Sequence, residues 1–286
     1  MSSIVKFYNF EIKKFQEMEN VSTEKEIHDK RVILRRIFSI LAVYKIKSSK
    51  VKNGEKAFHL FGKLRDVQVQ ILKIESLSQF TELTDYLSFL KEQELKLKDK
   101  VSDFNKEKKL KFPVIKKERF EKTKKFKKAT KQFYKLWEST HIDSIDDAED
   151  IHKIRIEFKK FRYIVEVISY FKQIDESRLE ELKTFQDQLG EIQDYEVLIN
   201  GIRKYFKKNK PEEEADLEEF EIAQNNLIEN FERNLEMFRA LCYDIVYFDI
   251  NVKKSDTKTG KLNTQNSDLK VHDEIALEKN NELDKN

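Results

Sequence analysis

Four side chains that can carry a positive charge recur at helical spacing between residues 150 and 168. They are His152, Arg155, Lys159 and Arg162, at positions i, i+3, i+7 and i+10. At about 100° per residue, this spacing places them within an arc of about 80° on one face of a helix. A guanidinium group offers a planar fork of donors to phosphate oxygens, and an ammonium group offers a point charge. The pattern therefore predicts a stripe that binds an anion.

The residues around this stripe indicate that it lines a groove between helices. Ile156 and Tyr163 lie directly beside it, whereas a solvated charged face rarely has apolar borders. The opposite side of the helix is apolar and predicts core packing. It consists of Ile154, Phe158, Phe161, Ile164, Val165 and Ile168.

The same pattern occurs in the first half of the chain, 124 residues earlier. Segments 62–69 (GKLRDVQV) and 190–197 (GEIQDYEV) also match, at an offset of 128. Two matches in one order at nearly one offset indicate an internal duplication. The earlier stripe begins at His28 and continues with Arg31, Arg35 and Arg36, which align with His152, Arg155, Lys159 and Lys160.

The duplicated motifs H-x-x-R-[VI]-x-x-[RK]-[RK] and G-x-[LI]-[RQ]-D-x-x-V resemble those of the CHAD family, the conserved histidine α-helical domain. The resemblance covers about residues 1–250. It implies an all-α fold of two four-helix bundles related by a pseudo-twofold axis. It also implies a central basic cavity that binds inorganic polyphosphate without turnover. Many family members are fused to a triphosphate-tunnel (CYTH) domain, but the sequence lacks the E-x-E-x-K strand of that domain, which predicts a stand-alone member.

The resemblance implies which side chains bind polyphosphate if the second helices of the two halves face each other. The family usually has a third Arg ten residues after each His, and Arg162 fits this pattern. Phe38 occupies that position in the first half, which predicts a weaker basic face there. Asp66 and Asp194 are expected to orient an Arg or a His. The predicted binding residues are His28, Arg31, Arg35, Arg36, Arg65, His152, Arg155, Lys159, Lys160 and Arg162.

Other interpretations of these residues remain open at this stage. The cations could be solvated or could pair with carboxylates such as Asp66 and Asp194. A metal site needs converging ligands, and the sequence has no H-x₃-H, C-x₂-C or H-E-x-x-H pattern. A catalytic His needs a nucleophile or carboxylate partner in a shaped pocket, and no partner stands out. We therefore expect a non-enzymatic binding protein without metal or cofactor.

Composition indicates long helices and a strongly segregated charge. The 286 residues include only 5 Gly and 2 Pro, and 38% are charged. Residues 106–135 contain 13 Lys and 1 Arg against 3 Glu, a net charge of +11. Residues 211–236 contain 9 Glu and 1 Asp against 1 Arg, a net charge of −9. The lysine-rich segment supports the alternative of a helical protein that binds nucleic acid or polyanions in general.

The sequence also predicts location. The single cysteine, Cys242, excludes an internal disulfide and is typical of a reducing compartment. We find neither a signal peptide nor an apolar stretch of about 20 residues. These features predict a cytoplasmic protein without a membrane span, for which polyphosphate granules are one location.

Helix signals predict four helices in each half of a domain spanning 1–251, with halves 1–112 and 113–251. A polar tail, 252–286, is predicted to be disordered. Gly62 and Gly190 are expected to mark close helix–helix approach. The first five predicted helices cover about 4–18, 23–47, 55–77, 80–109 and 115–138, with a turn at Asn53-Gly54 before the third. The sixth is capped by Asp143 or Ser144, and the seventh begins at Asp175 or Ser177. The eighth runs from Pro211 to about 248.

Overall fold

The structure is a computed structural model that describes residues 3–18, 23–76, 83–107, 110–115, 125–140, 148–170, 172–213 and 215–251. Regular secondary structure in these ranges is entirely helical, which confirms the predicted all-α class. The α-helices are α1 (Ser3–Glu17), α2 (Glu24–Val43), α3 (Val51–Ser76), α4 (Thr84–Glu107), α5 (Lys125–Thr140), α6 (Ala148–Ser169), α7 (Glu176–Asn209), α8 (Glu218–Arg233) and α9 (Leu235–Asp244). A π-helical segment, Ile245–Asn251, follows α9.

Two of the predicted helix starts are confirmed by their capping contacts. At α2, Thr23 Oγ1 accepts from the N–H of Glu26 at 3.3 Å, and the N–H of Thr23 donates to Glu26 Oε2 at 2.9 Å. This reciprocal pair is a capping box. At α7, Asp175 Oδ1 accepts from the N–H of Ser177 at 2.9 Å. Such caps depend on residues three positions apart at most, so the sequence alone identifies them.

The predicted turn at Asn53-Gly54 is wrong, because both residues lie inside α3. Gly54 eases close packing there, because a Cβ at this position would lie 3.2 Å from Cζ of Phe38 on α2 and the ring would have to shift by a few tenths of an ångström. The predicted start of the fifth helix near Ile115 stays a prediction, because residues 116–124 lie outside the described ranges; residues 110–115 are not helical, and helix is described again from Lys125. The carbonyl of Pro113 accepts a hydrogen bond of 2.9 Å from the Tyr8 hydroxyl, which fixes this connection to α1.

The single eighth helix predicted from Pro211 is wrong as well. Pro211 lies in a turn, and the region is divided into α8, α9 and the π-helical segment. Asn234 separates α8 from α9, and its side-chain amide donates to the Asn230 carbonyl at 2.7 Å. In the described part of the chain, the second half therefore has more helices than the four predicted.

Two other predictions also concern residues that the structure does not describe. The cap at Asp143 or Ser144 and the disorder of residues 252–286 fall outside the described ranges and stay predictions. Residues up to Asn251 belong to one compact unit. None of the helices in the described ranges is long and apolar enough to cross a membrane.

Buried side chains form three apolar clusters. One packs α1 to α4 around residues such as Phe61, and a second packs α5 to α9 around Phe158. The third joins α3 and α4 to α7 and α8 across the two halves. In this third cluster Gly201 permits close contact, because a Cβ there would overlap the hydrogen-bonded pair of Tyr86 and Gln70. This cluster helps to hold the two halves together.

The two helices that carry the duplicated stripe pack directly on each other. Arg35 Nη1 on α2 donates to the Tyr163 hydroxyl on α6 at 2.7 Å. Val167 of α6 is buried in the core cluster of the first half. Helices α3 and α7, which carry the second motif, also pack against each other. The four motif-bearing helices therefore surround one region of the molecule.

Candidate functional site

A cavity of about 270 Å³ lies between α2, α3, α6 and α7. Six of the ten predicted binding residues line it, although they come from positions more than 100 residues apart in the chain. The helical spacing explains this arrangement, because residues at i, i+3 and i+7 on α2 and at i+3 and i+7 on α6 point toward the same space. The six residues are His28, Arg31, Arg35, Arg65, Arg155 and Lys159.

Two of the other predicted residues form ion pairs outside the cavity lining. Arg36 Nε donates to Glu166 Oε1 at 2.8 Å, and its Nη1 contacts the buried Glu11 at 3.4 Å. Arg36 thus connects α1, α2 and α6. Lys160 is exposed and pairs with Glu157 on its own helix at 2.5 Å. Both cations already have carboxylate partners.

The remaining two residues bind side chains of α7. His152 Nδ1 hydrogen-bonds to Oε1 of Gln193, and this His is not part of the lining. Arg162 Nη1 donates to Gln186 Oε1 at 2.7 Å. Gln186 itself lines the cavity, so Arg162 contacts a residue of the cavity wall without lining the cavity itself.

The expected weakness of the first half is wrong for this cavity. Neither Phe38 nor Arg162, which hold the tenth position after each His, belongs to the lining. Phe38 packs edge-on against Phe58 with ring centroids 5.9 Å apart. The first half contributes four of the six predicted residues in the lining, so it carries the larger share.

Lys159 has the most perturbed charge in the cavity. Burial, together with Arg35, Arg155 and Arg31, lowers the pKa of Lys159 to about 6. Asp66 opposes this shift only weakly, and no carboxylate of the described residues lies within 4 Å of the ammonium. A lysine in such surroundings is mostly neutral at neutral pH unless an anion approaches it.

The neighbouring guanidinium groups lie in the same desolvated surroundings. Burial and Arg35 lower the pKa of Arg31 to about 10, and burial lowers the pKa of Arg155. Both groups stay charged at neutral pH. Arg31 Nε is buried without an acceptor in the described part of the chain. A buried unpaired donor costs free energy, which a bound acceptor would recover.

His28 lies at the cavity rim and keeps an exposed surface, yet the surrounding protein displaces part of its water. This desolvation and the charge of Arg65 lower the pKa of His28. The guanidinium of Arg65 forms an ion pair with Glu24 in the first turn of α2. The rim therefore contains one cation with a partner and one imidazole that is neutral near pH 7.

Carboxylates also line the cavity, and the sequence analysis identified only two of them. Burial raises the pKa of Asp66 and of Asp194, although nearby Arg31 and Arg65, respectively, oppose the shift. Asp187 and Glu191 of α7 were missed. The spacing of Asp187, Glu191 and Asp194 at i, i+4 and i+7 was a usable signal for one helical face. The five Arg and Lys side chains come from α2, α3 and α6, whereas α7 contributes mainly carboxylates.

The two motif glycines do not mark close helix packing, contrary to the prediction. A Cβ at Gly190 would meet nothing within 4 Å, and Gly190 lines the cavity. A Cβ at Gly62 would lie 3.8 Å from Arg31 Nη2. These glycines therefore leave space in the cavity and beside the Arg31 guanidinium.

Within the described ranges, no group of three or more His, Cys, Asp or Glu side chains is arranged to hold a metal ion. The cavity contains several guanidinium groups and an amine close together. Such a group can bind an anion with several charged oxygens.

Comparison with known proteins identifies a family and a fold. The CHAD domain family model matches residues 12–202. The crystal structure of the CHAD domain from the plant Ricinus communis is similar, with a TM-score of 0.58 and 15% sequence identity. The alignment covers 84% of this chain and 89% of the plant chain. At this identity the structural similarity shows the fold alone. Comparison with curated protein sequences gave no match.

Proposed function

Because the chain belongs to the CHAD domain family, which is associated with polyphosphate binding in general, we propose that it binds inorganic polyphosphate in its cavity without turnover. The ligand would lie against the cationic walls formed by α2, α3 and α6. The chain would then act in the cytoplasm and at polyphosphate granules. The pseudo-twofold relation between the halves belongs to this proposal. It is supported by the direct packing of α2 on α6 and of α3 on α7.

One observation carries the proposal: Lys159 lies among three guanidinium groups without a carboxylate partner in the described residues. The guanidinium groups repel one another and disfavour a charge on Lys159, and a bound anion would offset this repulsion. A chain with roughly one negative charge per phosphate would compensate several cations at once. Carboxylates on α7 oppose a ligand at that wall, which favours binding along the cationic side.

The cavity lining favours polyphosphate over nucleic acid. Proteins that bind single strands stack bases on exposed aromatic rings. The described lining contains no Phe, Tyr or Trp, and its apolar members are Val32 and Val69. A phosphate chain needs no stacking surface.

Charge reversal in the cavity tests the proposal. We expect Arg155→Glu with Lys159→Glu to weaken polyphosphate binding at least ~100-fold, because close charge–phosphate contacts are each worth about 2–5 kcal/mol. Lys204→Glu with Lys208→Glu on α7 is the matched control, since both lysines are exposed and lie outside the cavity lining. This control should stay within ~10-fold, because it acts only through the general field.

Titration calorimetry at about 0.15 M salt measures both variants after circular dichroism has shown native helicity. Competition with RNA and an assay for released phosphate complete the test. Equal losses in the two folded variants would contradict a cavity site and favour general polyanion binding. Tighter binding of RNA than of polyphosphate would favour a nucleic-acid function, and released phosphate would reveal an enzyme.

A further inference from the structure

A row of exposed lysines follows the outer side of α5. Lys127, Lys131 and Lys135 are spaced i, i+4 and i+8, so they form one stripe, which we term the α5 lysine face. Residues 125–140 contain five Lys and one Glu. No carboxylate of the described residues pairs with any of the three lysines within 4 Å. The face is therefore strongly cationic and available to an anion.

Helix α5 packs against α6, which forms a wall of the cavity. Gln132 Nε2 donates to Glu157 on α6, at 2.6 Å to Oε2 and 3.1 Å to the backbone carbonyl. Glu157 in turn pairs with Lys160, the residue next to Lys159 of the cavity. Consecutive residues of α6 thus lie on its cavity side and on its α5 side. A helix with its side chains is about 10–12 Å across, so the α5 side of α6 lies about one helix diameter from its cavity side.

Helix α5 also contacts α2, the other cationic helix of the cavity. The ammonium of Lys128 donates to the carbonyl of Ala42 near the C-terminal end of α2. Burial and the nearby Lys45 lower the pKa of Lys128, so two lysines lie near this contact. The α5 lysine face therefore belongs to a helix that touches both α2 and α6.

We propose that the α5 lysine face is a second contact surface for polyphosphate chains that extend out of the cavity, so that long chains bind more tightly than short ones. This inference rests on the proposed function of the cavity. A chain held in the cavity and passing over α6 would meet Lys160 and then the α5 lysine face. The second contact would be intramolecular, and its effective concentration would be high.

Chain length separates the two sites experimentally. The probes are tripolyphosphate, which is short enough for the cavity, and polyphosphate of about 100 phosphates, which is long enough to reach both surfaces. The test variant is Lys127→Glu with Lys131→Glu and Lys135→Glu. The matched control, with the same change of −6 in charge, is Lys204→Glu with Lys207→Glu and Lys208→Glu, three exposed lysines of α7.

We expect the α5 variant to bind the long chain at least ~10-fold more weakly while its affinity for tripolyphosphate changes less than ~3-fold. The control should lose less than ~3-fold for both ligands. The wild-type salt dependence for the long chain should also exceed that of the α5 variant, because fewer ionic contacts remain.

Each alternative outcome has a distinct meaning. If the α5 variant weakens the two ligands equally, or weakens the long chain no more than the control does, the second contact surface is wrong. The cavity variant Arg155→Glu with Lys159→Glu must weaken both ligands. If it leaves tripolyphosphate binding intact, the proposed function of the cavity fails, whatever the α5 variant does.

Discussion

The two copies of the duplicated motif have similar sequences but play different parts in the cavity. The first copy contributes His28, Arg31, Arg35 and Arg65 to the lining, whereas the second contributes only Arg155 and Lys159 among the predicted residues. The same residue spacing in the two copies therefore does not place equivalent residues in the cavity lining. The copies also differ in residue type at two equivalent positions, 65/193 and 35/159; only the first pair differs in whether the residue lines the cavity.

At the first of these equivalent positions, the first copy has Arg65 and the second copy has Gln193. Arg65 reaches the cavity and pairs with Glu24 on the rim, and its charge helps to lower the pKa of His28. Gln193 instead hydrogen-bonds to His152, which is absent from the lining. The uncharged amide of Gln193 thus hydrogen-bonds to His152, the residue that corresponds to His28.

At the second of these equivalent positions, the first copy has Arg35 and the second copy has Lys159. Arg35 is held by its hydrogen bond to Tyr163 and lies over the Phe58 ring at 5.8 Å. A guanidinium keeps its charge in such surroundings, whereas an ammonium loses its proton readily when buried among cations. The first copy thus supplies permanent charge, whereas the charge of Lys159 in the second copy depends on pH.

Neutralising one copy at a time should give the largest difference. We expect Arg31→Gln with Arg35→Gln to weaken polyphosphate binding about 1,000-fold, from two losses of at least ~2 kcal/mol each. Arg155→Gln with Lys159→Gln should cost only about 30-fold at pH 7.5. Protonating a lysine with a pKa of about 6 at this pH already costs about 2 kcal/mol, so its net contribution is smaller. Calorimetry measures both.

Native helicity must be shown first, because Arg35→Gln also removes the hydrogen bond to Tyr163. Equal losses for the two well-folded pairs would mean that the copies contribute alike and that Lys159 is charged before the ligand binds.

The pH dependence should come from the second copy. In the free protein Lys159 has a pKa of about 6, and a bound polyanion should raise it. Between these two pKa values the complex holds one more proton than the free protein, so affinity falls as pH rises from 6 to 8. The slope should approach tenfold per pH unit, and calorimetry in buffers of different ionisation enthalpy should show uptake of about one proton.

Exchanging the two side chains sharpens this test. Lys159→Arg should bind with little pH dependence above about pH 7, because a guanidinium keeps its proton. Arg35→Lys should add a second proton uptake. His28, whose pKa is lowered in the free protein, should contribute only toward the acidic end of the range. A steep slope that survives in Lys159→Arg would assign the proton to another group.

The smallest expected effect is on the stability of the free protein. Substitutions in the two copies should change the melting temperature in opposite directions. Lys159→Met should raise the melting temperature at pH 7 by about 2–4 °C, since it removes a group that folding forces to lose its proton. Between about pH 6 and the pKa of the unfolded lysine, the unfolded state binds more protons, so wild-type stability rises with pH. That part of the pH dependence should disappear in Lys159→Met.

Arg35→Met should lower the melting temperature by a similar amount, because it loses the hydrogen bond to Tyr163 and the contact with Phe58. Calorimetric melting measures both variants. A lower melting temperature for Lys159→Met would show that its aliphatic chain or an unseen partner stabilises the fold more than its charge destabilises it.

Local patterns in the sequence determined the class of the fold and four of the cations that line the cavity. Periodicity placed Arg31, Arg35, Arg155 and Lys159 on helix faces, and the repeat indicated that these faces belong together; all four line the cavity. The Thr23 capping box followed from residues three positions apart. These inferences succeed because helix geometry depends on neighbours within one or two turns.

The tertiary structure alone decided which cations are available and which groups accompany them. Arg36 and Lys160 fit the motif as well as the lining residues do, but Glu11, Glu166 and Glu157 hold them elsewhere. A small rotation of a helix about its axis decides on which side such a residue falls, and that rotation is fixed by packing against other helices.

The same reason applies to the charge of Lys159. Its pKa depends on burial and on Arg31 and Arg35, which are more than 120 residues away in the chain. The spacing i, i+7 from His152 identifies the residue, but desolvation and the field of other helices exist only once those helices have packed. The sequence therefore determined where positive charge could gather, and the packing of α2, α3, α6 and α7 decided which of those groups remain without a partner.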